Sequence, residues 1–522
     1  MSQVDIAKES ARGAFLLLVG NLLSTAILAV AVIVVARLLG PAGYGAYSLV
    51  LVLPALLITM IDLGITTSIT RSSANYLARG EIAVARRVTR NGIIFVLILG
   101  GIATIVCYGG AGLFANLVFH RPELTPYIQI GSFFVLAQTL FNSVHSALLG
   151  WKSLGVVGAS SILQSVLKLA ISASLIVGGF AIYGAVVGQA ASYLVTAVVI
   201  GLFLAIKKLS GPSTGPSQFF ADAKGLLTYG FPIYIGSLAS TISTQYLTIL
   251  VALVATNAVI GFYQTALNMT ASFTVVASAV TTALLPAFAS LHGAKGDLKL
   301  AFSYSTKYVA YSIVPIILFV AVASNSMVEV LFGPAYSASG PFLTYLAIAF
   351  LPIALGYSLV PNFFNGIGRS RLGMSVLLVS ALTLIVTAPI MVEVLDLGVP
   401  GLILAQLLSN LAGALCGLYL ASHYLKFGVD LRAVGSILLS SIVAAIAAYS
   451  ISHLGLPTLL ALISELLAFL VVYLTAVPIL KGLKGDDITR LEIVAEGLGI
   501  ARRVFGPILR YERWLVRRID GS

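Results

Sequence analysis

The sequence has 522 residues, of which 59% are hydrophobic and only 9% are charged. Soluble globular domains carry roughly 25% charged residues, so the composition excludes a water-soluble fold and indicates a polytopic membrane protein. The net charge of +12 therefore gives no indication of nucleic-acid binding. The two cysteines, Cys107 and Cys416, both lie in apolar runs and support neither a disulfide framework nor a metal site.

The first predicted elements are two membrane spans joined by a tight turn. The turn reads Leu39-Gly40-Pro41-Ala42-Gly43-Tyr44-Gly45-Ala46-Tyr47 and lies between two charge-free runs, Ala14–Ala36 and Ser48–Ile61. About 20 apolar residues are enough to cross a bilayer as a helix. The turn is therefore interpreted as a hairpin between two spans.

Windows of high hydropathy, separated by clusters of Gly, Pro and charge, predict fourteen transmembrane helices. The longest polar connection, Lys207–Lys224, has the Gly, Pro and Ser composition of a flexible linker. The predicted spans are 13–37, 45–70, 91–116, 125–149, 156–178, 182–206, 226–252, 258–286, 307–331, 341–364, 372–393, 399–424, 433–453 and 457–480.

The basic residues alternate between the two sides of these spans. With the N-terminus inside, the inside segments before the tail hold 18 basic residues, whereas the outside segments hold only Arg37 and Arg121. Cytoplasmic loops carry an excess of Lys and Arg. The bias predicts a cell membrane protein with its N-terminus in the cytoplasm, and the even number of spans places the C-terminus there too.

The two halves of the chain also resemble each other. Matches at an offset of 216 or 217 residues recur across five helices, and each half holds an even number of spans. Both halves then enter the membrane in the same sense, as parallel repeats do. The matched pairs are Gly45 with Gly261, Tyr47 with Tyr263, Gly150 with Gly366, Gly184 with Gly401, and Gln189 with Gln406.

The prediction is thus an all-α polytopic membrane protein with 14 transmembrane helices, arranged as two six-helix lobes plus two extra helices. Facing lobes of this kind enclose a central cavity, where transporters bind substrate. The predicted divisions are 1–206 for the N-lobe, 207–225 for a cytoplasmic linker, 226–425 for the C-lobe, 426–480 for the two extra helices, and 481–522 for a basic amphipathic cytoplasmic tail.

Three features together resemble a known family. They are the 6+6+2 arrangement of spans, the turn Leu38–Gly45, and the stretch Asp62-Leu63-Gly64 that leads into a basic loop. The chain is similar in these to the polysaccharide-transport proteins of the multidrug/oligosaccharidyl-lipid/polysaccharide (MOP) exporter superfamily, over roughly residues 10–480. The resemblance implies a MATE-like fold and a flippase for a polyprenyl-linked sugar that works by alternating access.

Charged residues inside the predicted spans are the first candidates for the site. A charge at mid-bilayer costs a few kcal/mol or more and usually faces a cavity or a partner. Lys168 lies near the middle of span five, Asp62 lies in span two, and the repeat places apolar residues or a serine at the equivalent positions. We expect Lys168, helped by Arg12, to contact the anionic phosphate of the substrate, with Asp62 holding Lys168 or serving a coupling cation or proton.

Alternatives to these roles stay open at the sequence level. Asp62 and Lys168 can instead form a permanent structural ion pair. Arg12 can be a positive-inside anchor whose side chain reaches the membrane interface. Glu465, in span fourteen, lies outside the duplicated core and is expected to pack against a neighbouring helix.

Uncharged polar residues in the spans are candidates for contacts with sugar hydroxyls. Gln138 and Asn142 lie one helical turn apart on one face of span four. Asn21 in span one and Gln245 in span seven are further candidates. The alternative is that such residues hold membrane helices together through interhelical hydrogen bonds.

The tail beyond residue 481 is polar and basic. After Pro507, the residues Ile508, Tyr511, Leu515 and Ile519 fall on one helical face, and Arg510, Arg513 and Arg517 on another, with Trp514 at the edge. A basic amphipathic helix with an aromatic edge lies in the membrane interface and favours anionic lipid.

Other functions compete with the flippase hypothesis. A cation-coupled exporter of drugs or metabolites needs carboxylates in the lobes. In the first twelve spans Asp62 is the only one away from the span ends, since Glu329 and Glu393 fall at outer ends and are assigned to the outside loops. No nucleophile–base arrangement or Walker spacing points to an enzyme such as a membrane glycosyltransferase or ligase, and a non-transporting scaffold is the remaining class. The expected partners are a lipid-linked sugar and membrane lipid, with a coupling cation or proton left open. No cofactor, metal or nucleic acid is expected, and the oligomeric state stays open.

Overall fold

The computed structural model describes residues 3–211, 218–290 and 295–520, apart from 358, 368, 426–427, 484, 486 and 490–499. All regular elements among the described residues are helices. The main ones are α1 Gln3–Val50, α2 Val52–Asp62, α3 Ile65–Ala78, α4 Ile82–Leu113, α5 Thr125–Gly150, α6 Leu154–Leu175, α7 Ala181–Lys207, α8 Phe219–Val254, α9 Asn257–Ser290, α10 Lys295–Val322, α11 Ser324–Phe332, α12 Ser339–Ala349, α13 Leu359–Gly366, α14 Ser370–Pro389, α15 Gly398–Leu425, α16 Leu431–Ser452, α17 Thr458–Ile479 and α18 Ile500–Asp520.

The all-α membrane fold predicted from the sequence is confirmed. Within the described residues, nine helical segments are long and apolar enough to cross a membrane, or ten with a bent pair formed around α12 and α13. Two of these segments, Phe15–Asp62 with 48 residues and Leu154–Lys207 with 54, are each more than twice the length that one crossing needs. The helix order is consistent with fourteen crossings.

The chain divides into two compact units, Met1–Gly261 and Phe262–Ser522. In the first unit, α1 packs along α6, and α5 packs against α4 and α7. The predicted turn after span one is confined to Gly40, whose φ of 67° breaks an otherwise continuous helix. A Cβ at Gly45 would overlap the Asn257 carbonyl oxygen, and a Cβ at Gly261 would overlap that of Pro41. These two glycines, matched by the repeat, therefore make equivalent backbone contacts.

The second predicted span, 45–70, is not one continuous helix. The helix α2 ends at Asp62, Leu63 and Gly64 have φ values of 46° and 73°, and α3 begins at Ile65. A break inside a membrane exposes backbone groups that need partners. The Asp62 carboxylate lies beside the Thr66 hydroxyl and the backbone N–H groups of Gly64 and Thr66, at the start of α3.

The helix α8 packs along this break. The Tyr234 hydroxyl donates to the Met60 carbonyl oxygen (3.0 Å) at the end of α2, and the Ser68 hydroxyl of α3 donates to the Leu226 carbonyl oxygen (2.7 Å). Between these bonds, Gly64 and Gly230 come so close that a Cβ on either would overlap the other's carbonyl oxygen. The break is thus held by α8 from both sides.

A polar clamp fixes the beginning of α8, which starts at Phe219 inside the predicted linker 207–225. Asp222 accepts from Arg87 Nε (3.2 Å) and from Asn91 Nδ2 (2.8 Å), both on α4. The neighbouring Arg86 donates from Nε to the Lys208 carbonyl oxygen (3.0 Å). The described ends of the linker are therefore tied to adjacent arginines, while residues 212–217 lie outside the described part of the chain.

The clamp gives a prediction for stability. We expect Asp222→Asn to lower the free energy of unfolding by about 1.5–3 kcal/mol, because hydrogen bonds to a half-buried charge are lost. Thermal unfolding in detergent measures the change, and Glu81→Gln, an exposed carboxylate between α3 and α4, is the control. Equal melting temperatures for the two variants would contradict the clamp.

The second unit contains a buried ion pair. Lys307 of α10 donates from Nζ to Asp487 Oδ2 at 2.5 Å, and both side chains are buried.

The second unit also repeats a feature of the first unit. A π-helical turn follows α6 at Ile176–Phe180 and follows α14 at Ile390–Val394. The repeat-matched Gly184 and Gly401 pack against the backbone of these respective turns.

The tail helix α18 docks on α17 by a face one position away from the predicted apolar face. Leu509, Glu512 and Val516 are buried, whereas Tyr511 is exposed. Glu512 is fully buried and accepts from the Tyr311 hydroxyl of α10 at 2.8 Å. Its second carboxylate oxygen, also buried, has no hydrogen-bond partner among the described residues.

Docking of α18 should depend on pH through Glu512. Burial raises the pKa of Glu512 to about 7, although the Tyr311 hydrogen bond acts the other way. The docked helix then binds a proton more tightly than a released one, so docking strengthens as pH falls from about 7 towards 4.5 and is constant above 7. Between pH 8 and pH 5.5 the free energy of docking becomes more favourable by about 2 kcal/mol, which raises the docking equilibrium constant roughly thirtyfold.

Hydrogen exchange of the α18 amides, corrected for intrinsic rates, measures this dependence. The other titratable groups that face Glu512 are the hydroxyls of Tyr311 and Tyr473, and Lys307 of the neighbouring turn is paired with Asp487. Glu512→Gln removes the titrating carboxyl, so we expect its protection to be the same at pH 5.5 and pH 8. A wild-type protein with equal protection at both values would contradict the prediction.

Candidate functional site

Lys168 lies on the interior face of α6. It is half-buried and shares a helical stripe with Gln164, one turn before it, and Ser172, one turn after it, both of which are buried. The exposed residues Val166 and Ala170 lie nearly opposite, because each residue advances about 100° around a helix. The lysine thus faces the inside of the first unit rather than the lipid side.

A buried polar cluster of four residues, Tyr47, Gln164, Gln189 and Ser192, lies beside Lys168. Gln164 Nε2 donates to Ser192 Oγ (3.3 Å), Ser192 Oγ donates to the Gln189 carbonyl oxygen (2.8 Å), and the Tyr47 hydroxyl donates to Gln189 Oε1 (3.4 Å). The cluster joins α1, α6 and α7 and gives Lys168 a polar neighbourhood at membrane depth.

Lys168 has no hydrogen bond or ion pair with the described residues. The ion pairs in the described part of the chain join Arg87 to Asp222 and Lys307 to Asp487. The alternative of a permanent Asp62–Lys168 pair is therefore not seen. The Asp62 carboxylate instead lies at the break between α2 and α3, beside Gly64 and Thr66. An unpaired cation in a span is costly and is suited to an anionic ligand.

The helix α5 supplies an accessible polar stripe. Between residues 131 and 150 only Phe133 is exposed, yet Gln138 and Asn142 are half-buried, and no hydrogen bond of either side chain is seen in the described structure. The Tyr193 ring of α7 stacks edge-on against Phe141 at 5.2 Å. Because Tyr193 follows Ser192 of the polar cluster, α7 connects this stripe with the α6 face that carries Lys168.

The remaining predicted site residues are distributed around this region without contacting it in the described structure. Asn21 is exposed on α1, and its carbonyl oxygen accepts from the Thr25 hydroxyl (2.8 Å). Gln245 is half-buried on α8, one turn from Thr241, whose hydroxyl bonds to that of Thr59 (3.4 Å). Arg12 lies in α1, and its side chain falls outside the described part of the structure.

Glu465 occupies a separate place in the second unit. It is fully buried on α17 and accepts from the Ser326 hydroxyl of α11 at 3.1 Å. This contact agrees with the expectation that Glu465 packs against a neighbouring helix.

Three members of this region, Gln164, Ser192 and Tyr193, were not identified from the sequence. Tyr47 and Gln189 were noted only as repeat matches. The repeat held the relevant signal, because the Tyr47–Gln189 hydrogen bond joins two repeat-matched positions. In the second unit the matched Gln406 instead donates to Asn410 Oδ1 (2.7 Å), and Tyr263 is buried.

Comparison with known proteins identifies the family. A family model described as polysaccharide biosynthesis protein matches residues 10–292, which is more than half of the chain. The chain belongs to the polysaccharide biosynthesis protein family. No curated protein matches it in sequence.

Solved structures show that this family member has the fold of the MOP superfamily. A lipid II flippase, MurJ, in an inward closed conformation has a TM-score of 0.73 at 17% identity, over 89% of this chain and 98% of that one. An inward-facing multidrug resistance MATE transporter has a TM-score of 0.68 at 18% identity, over 77% and 94%. A MOP superfamily transporter from Pyrococcus furiosus has a TM-score of 0.55 at 19% identity, over 80% and 96%. The predicted MATE-like fold of this polysaccharide biosynthesis family member is confirmed.

Proposed function

We propose that the protein is a flippase that moves a polyprenyl-phosphate- or pyrophosphate-linked oligosaccharide across the cytoplasmic membrane by alternating access, for surface polysaccharide or glycoprotein assembly. The observation that carries the proposal is Lys168, an interior cation in a span with no partner among the described residues. Membership of the polysaccharide biosynthesis family and the fold shared with a lipid II flippase support it.

The residues around Lys168 suit the junction between lipid and sugar. The ammonium group binds the phosphate by charge-assisted hydrogen bonds, and Arg12 adds a second cation at the predicted inner mouth of α1. Gln138 and Asn142 offer unused donors and acceptors to sugar hydroxyls. Gln245 and Asn21 are assigned supporting polar contacts along the path.

In this proposal α2, α3 and α8 move together as one packed body, because two hydrogen bonds and the Gly64–Gly230 contact hold α8 against the break at Leu63 and Gly64. The N- and C-termini are both cytoplasmic in the proposed orientation.

Reconstitution in liposomes tests the function directly. The substrate is a fluorescent polyprenyl-pyrophosphate oligosaccharide, and the reading is the fraction that becomes accessible to a membrane-impermeant quencher. Flippase activity predicts faster equilibration than in liposomes holding heat-inactivated protein. No acceleration, with the protein folded, would contradict the proposal and would favour a non-transporting scaffold, whereas a change in the chain length of the sugar would indicate a glycosyltransferase or ligase.

The alternative function is a cation-coupled MATE-type exporter of drugs or metabolites. It is favoured by the structural likeness to a multidrug MATE transporter, and Asp62 would then hold the coupling ion. Its carboxylate lies beside the backbone N–H groups of Gly64 and Thr66 at the helix break, which disfavours that role. Export of a small cationic dye that needs a sodium or proton gradient and is lost in Asp62→Asn would support the exporter over the flippase.

A further inference from the structure

The tail helix α18 docks at the end of a membrane helix. The Tyr511 hydroxyl of α18 is 3.0 Å from the Thr475 hydroxyl of α17, and α17 ends one turn later at Ile479. One turn of helix spans about 5.4 Å. Tyr511 therefore lies within the depth of about 5–10 Å to which interfacial helices enter the boundary between headgroups and acyl chains.

Docking turns one side of α18 outwards. We define the α18 outer face as the exposed residues Arg510, Tyr511, Trp514, Arg517 and Arg518. Tyr511 and Trp514 stack with ring centroids 6.2 Å apart, and the Arg518 guanidinium lies over the Trp514 ring at 4.4 Å. Aromatic rings with arginines beside them are typical of groups that rest at the level of lipid headgroups.

The charges of this helix are sorted between its two sides. The only carboxylate among the described side chains of α18, Glu512, lies on the docked face and is fully buried. The outer face carries three arginines and no described acidic side chain. Each basic residue near an anionic leaflet contributes about 1 kcal/mol of attraction.

We propose that the α18 outer face binds the anionic lipid headgroups of the leaflet beside the end of α17, with Trp514 and Tyr511 inserted between the lipids. The partner is a membrane surface rather than a nucleic acid or an acidic protein, because the aromatic pair lies at interfacial depth beside a membrane helix. The proposal concerns a lipid-binding surface and does not depend on the flippase function.

Quenching of Trp514 by brominated lipids tests the proposal with the full-length protein in liposomes. The chain has two tryptophans, so the difference between the wild type and Trp514→Phe isolates the signal of Trp514. Each sample holds the same mole fraction of brominated phosphatidylglycerol or brominated phosphatidylcholine in both leaflets, which makes the orientation of the protein unimportant. We expect at least twofold stronger quenching by phosphatidylglycerol, falling as salt is added.

A triple variant tests whether the arginines of the α18 outer face, rather than the overall positive charge of the chain, cause the preference for phosphatidylglycerol. Arg510→Gln, Arg517→Gln and Arg518→Gln together should remove the preference for phosphatidylglycerol. The control changes three exposed basic residues elsewhere, Arg79→Gln, Arg90→Gln and Lys152→Gln, and should keep it. Equal quenching by the two lipids, no quenching of Trp514, or an unchanged preference in the triple variant would overturn the proposal, and the salt series on the wild type decides the case if the triple variant fails to fold.

Discussion

Replacing Lys168 by methionine should reduce transport of the polyprenyl-pyrophosphate sugar roughly ten- to hundredfold while leaving the protein as stable as before or more so. Hydrogen bonds to a charged group contribute about 1.5–3 kcal/mol, which sets the loss of transport. Methionine has a similar length and no charge. Because Lys168 has no protein partner among the described residues, its removal leaves no buried charge uncompensated.

A loss of transport without a loss of stability distinguishes ligand binding by Lys168 from a structural role. Transport is measured by lipid equilibration in liposomes, and stability by thermal unfolding in detergent. Lys168→Arg keeps a cation and should retain a substantial part of the transport, whereas Lys152→Met changes an exposed lysine outside the spans and should change neither reading. If Lys168→Met lowered the melting temperature and transport together, Lys168 would be a structural residue.

Asn142→Leu extends the test to the sugar end of the substrate. We expect a transport loss of a few-fold, because a neutral hydrogen bond contributes about 0.5–1.5 kcal/mol. The loss should disappear for a polyprenyl phosphate without sugar, while the loss in Lys168→Met should remain. This pattern would assign phosphate to α6 and sugar to α5, and equal losses with both substrates would contradict that assignment.

Hydropathy and charge were sufficient to predict the class of this fold, because a membrane span is a local property of about 20 residues. The same local reasoning made Lys168 a candidate site residue, since a lone cation in an apolar run needs an explanation wherever the helices pack. It did not reveal the surroundings of Asp62. That carboxylate lies beside the backbone N–H groups of Gly64 and Thr66 because the helix breaks at Leu63.

Features that depend on distant contacts were not predicted. An isolated glycine in an apolar run does not require a break, and the need for Gly64 arises from Gly230, far along the chain. The docked face of α18 likewise differs from its most apolar stripe, because Glu512 has a partner in Tyr311 that no periodicity within the tail reveals. The repeat was the one sequence signal with long-range content, and two of its matched positions, Tyr47 and Gln189, are joined by a hydrogen bond.

The contact between Gly64 and Gly230 should be highly sensitive to an added Cβ. Gly64→Ala places a Cβ onto the Gly230 carbonyl oxygen, and Gly230→Ala places one onto that of Gly64. Neither backbone can yield easily, because α8 is bonded to α2 and α3 on both sides of the contact. We expect each variant to lose more than about 3 kcal/mol of stability and most of its transport.

Two control glycines separate overlap from backbone conformation. Gly80 has a φ of 77°, close to that of Gly64, but open space around its Cβ position, so Gly80→Ala should show only the conformational cost of about 1–2 kcal/mol. Gly225 lies in α8 like Gly230, and its Cβ position is also open, so Gly225→Ala should stabilise the helix by up to about 1 kcal/mol. Stability should therefore fall in Gly230→Ala and rise in Gly225→Ala, although both glycines lie in α8. If Gly230→Ala melted at or above the temperature of Gly225→Ala, α8 would not pack on the break as described, and the proposed joint movement of α2, α3 and α8 would lose its support.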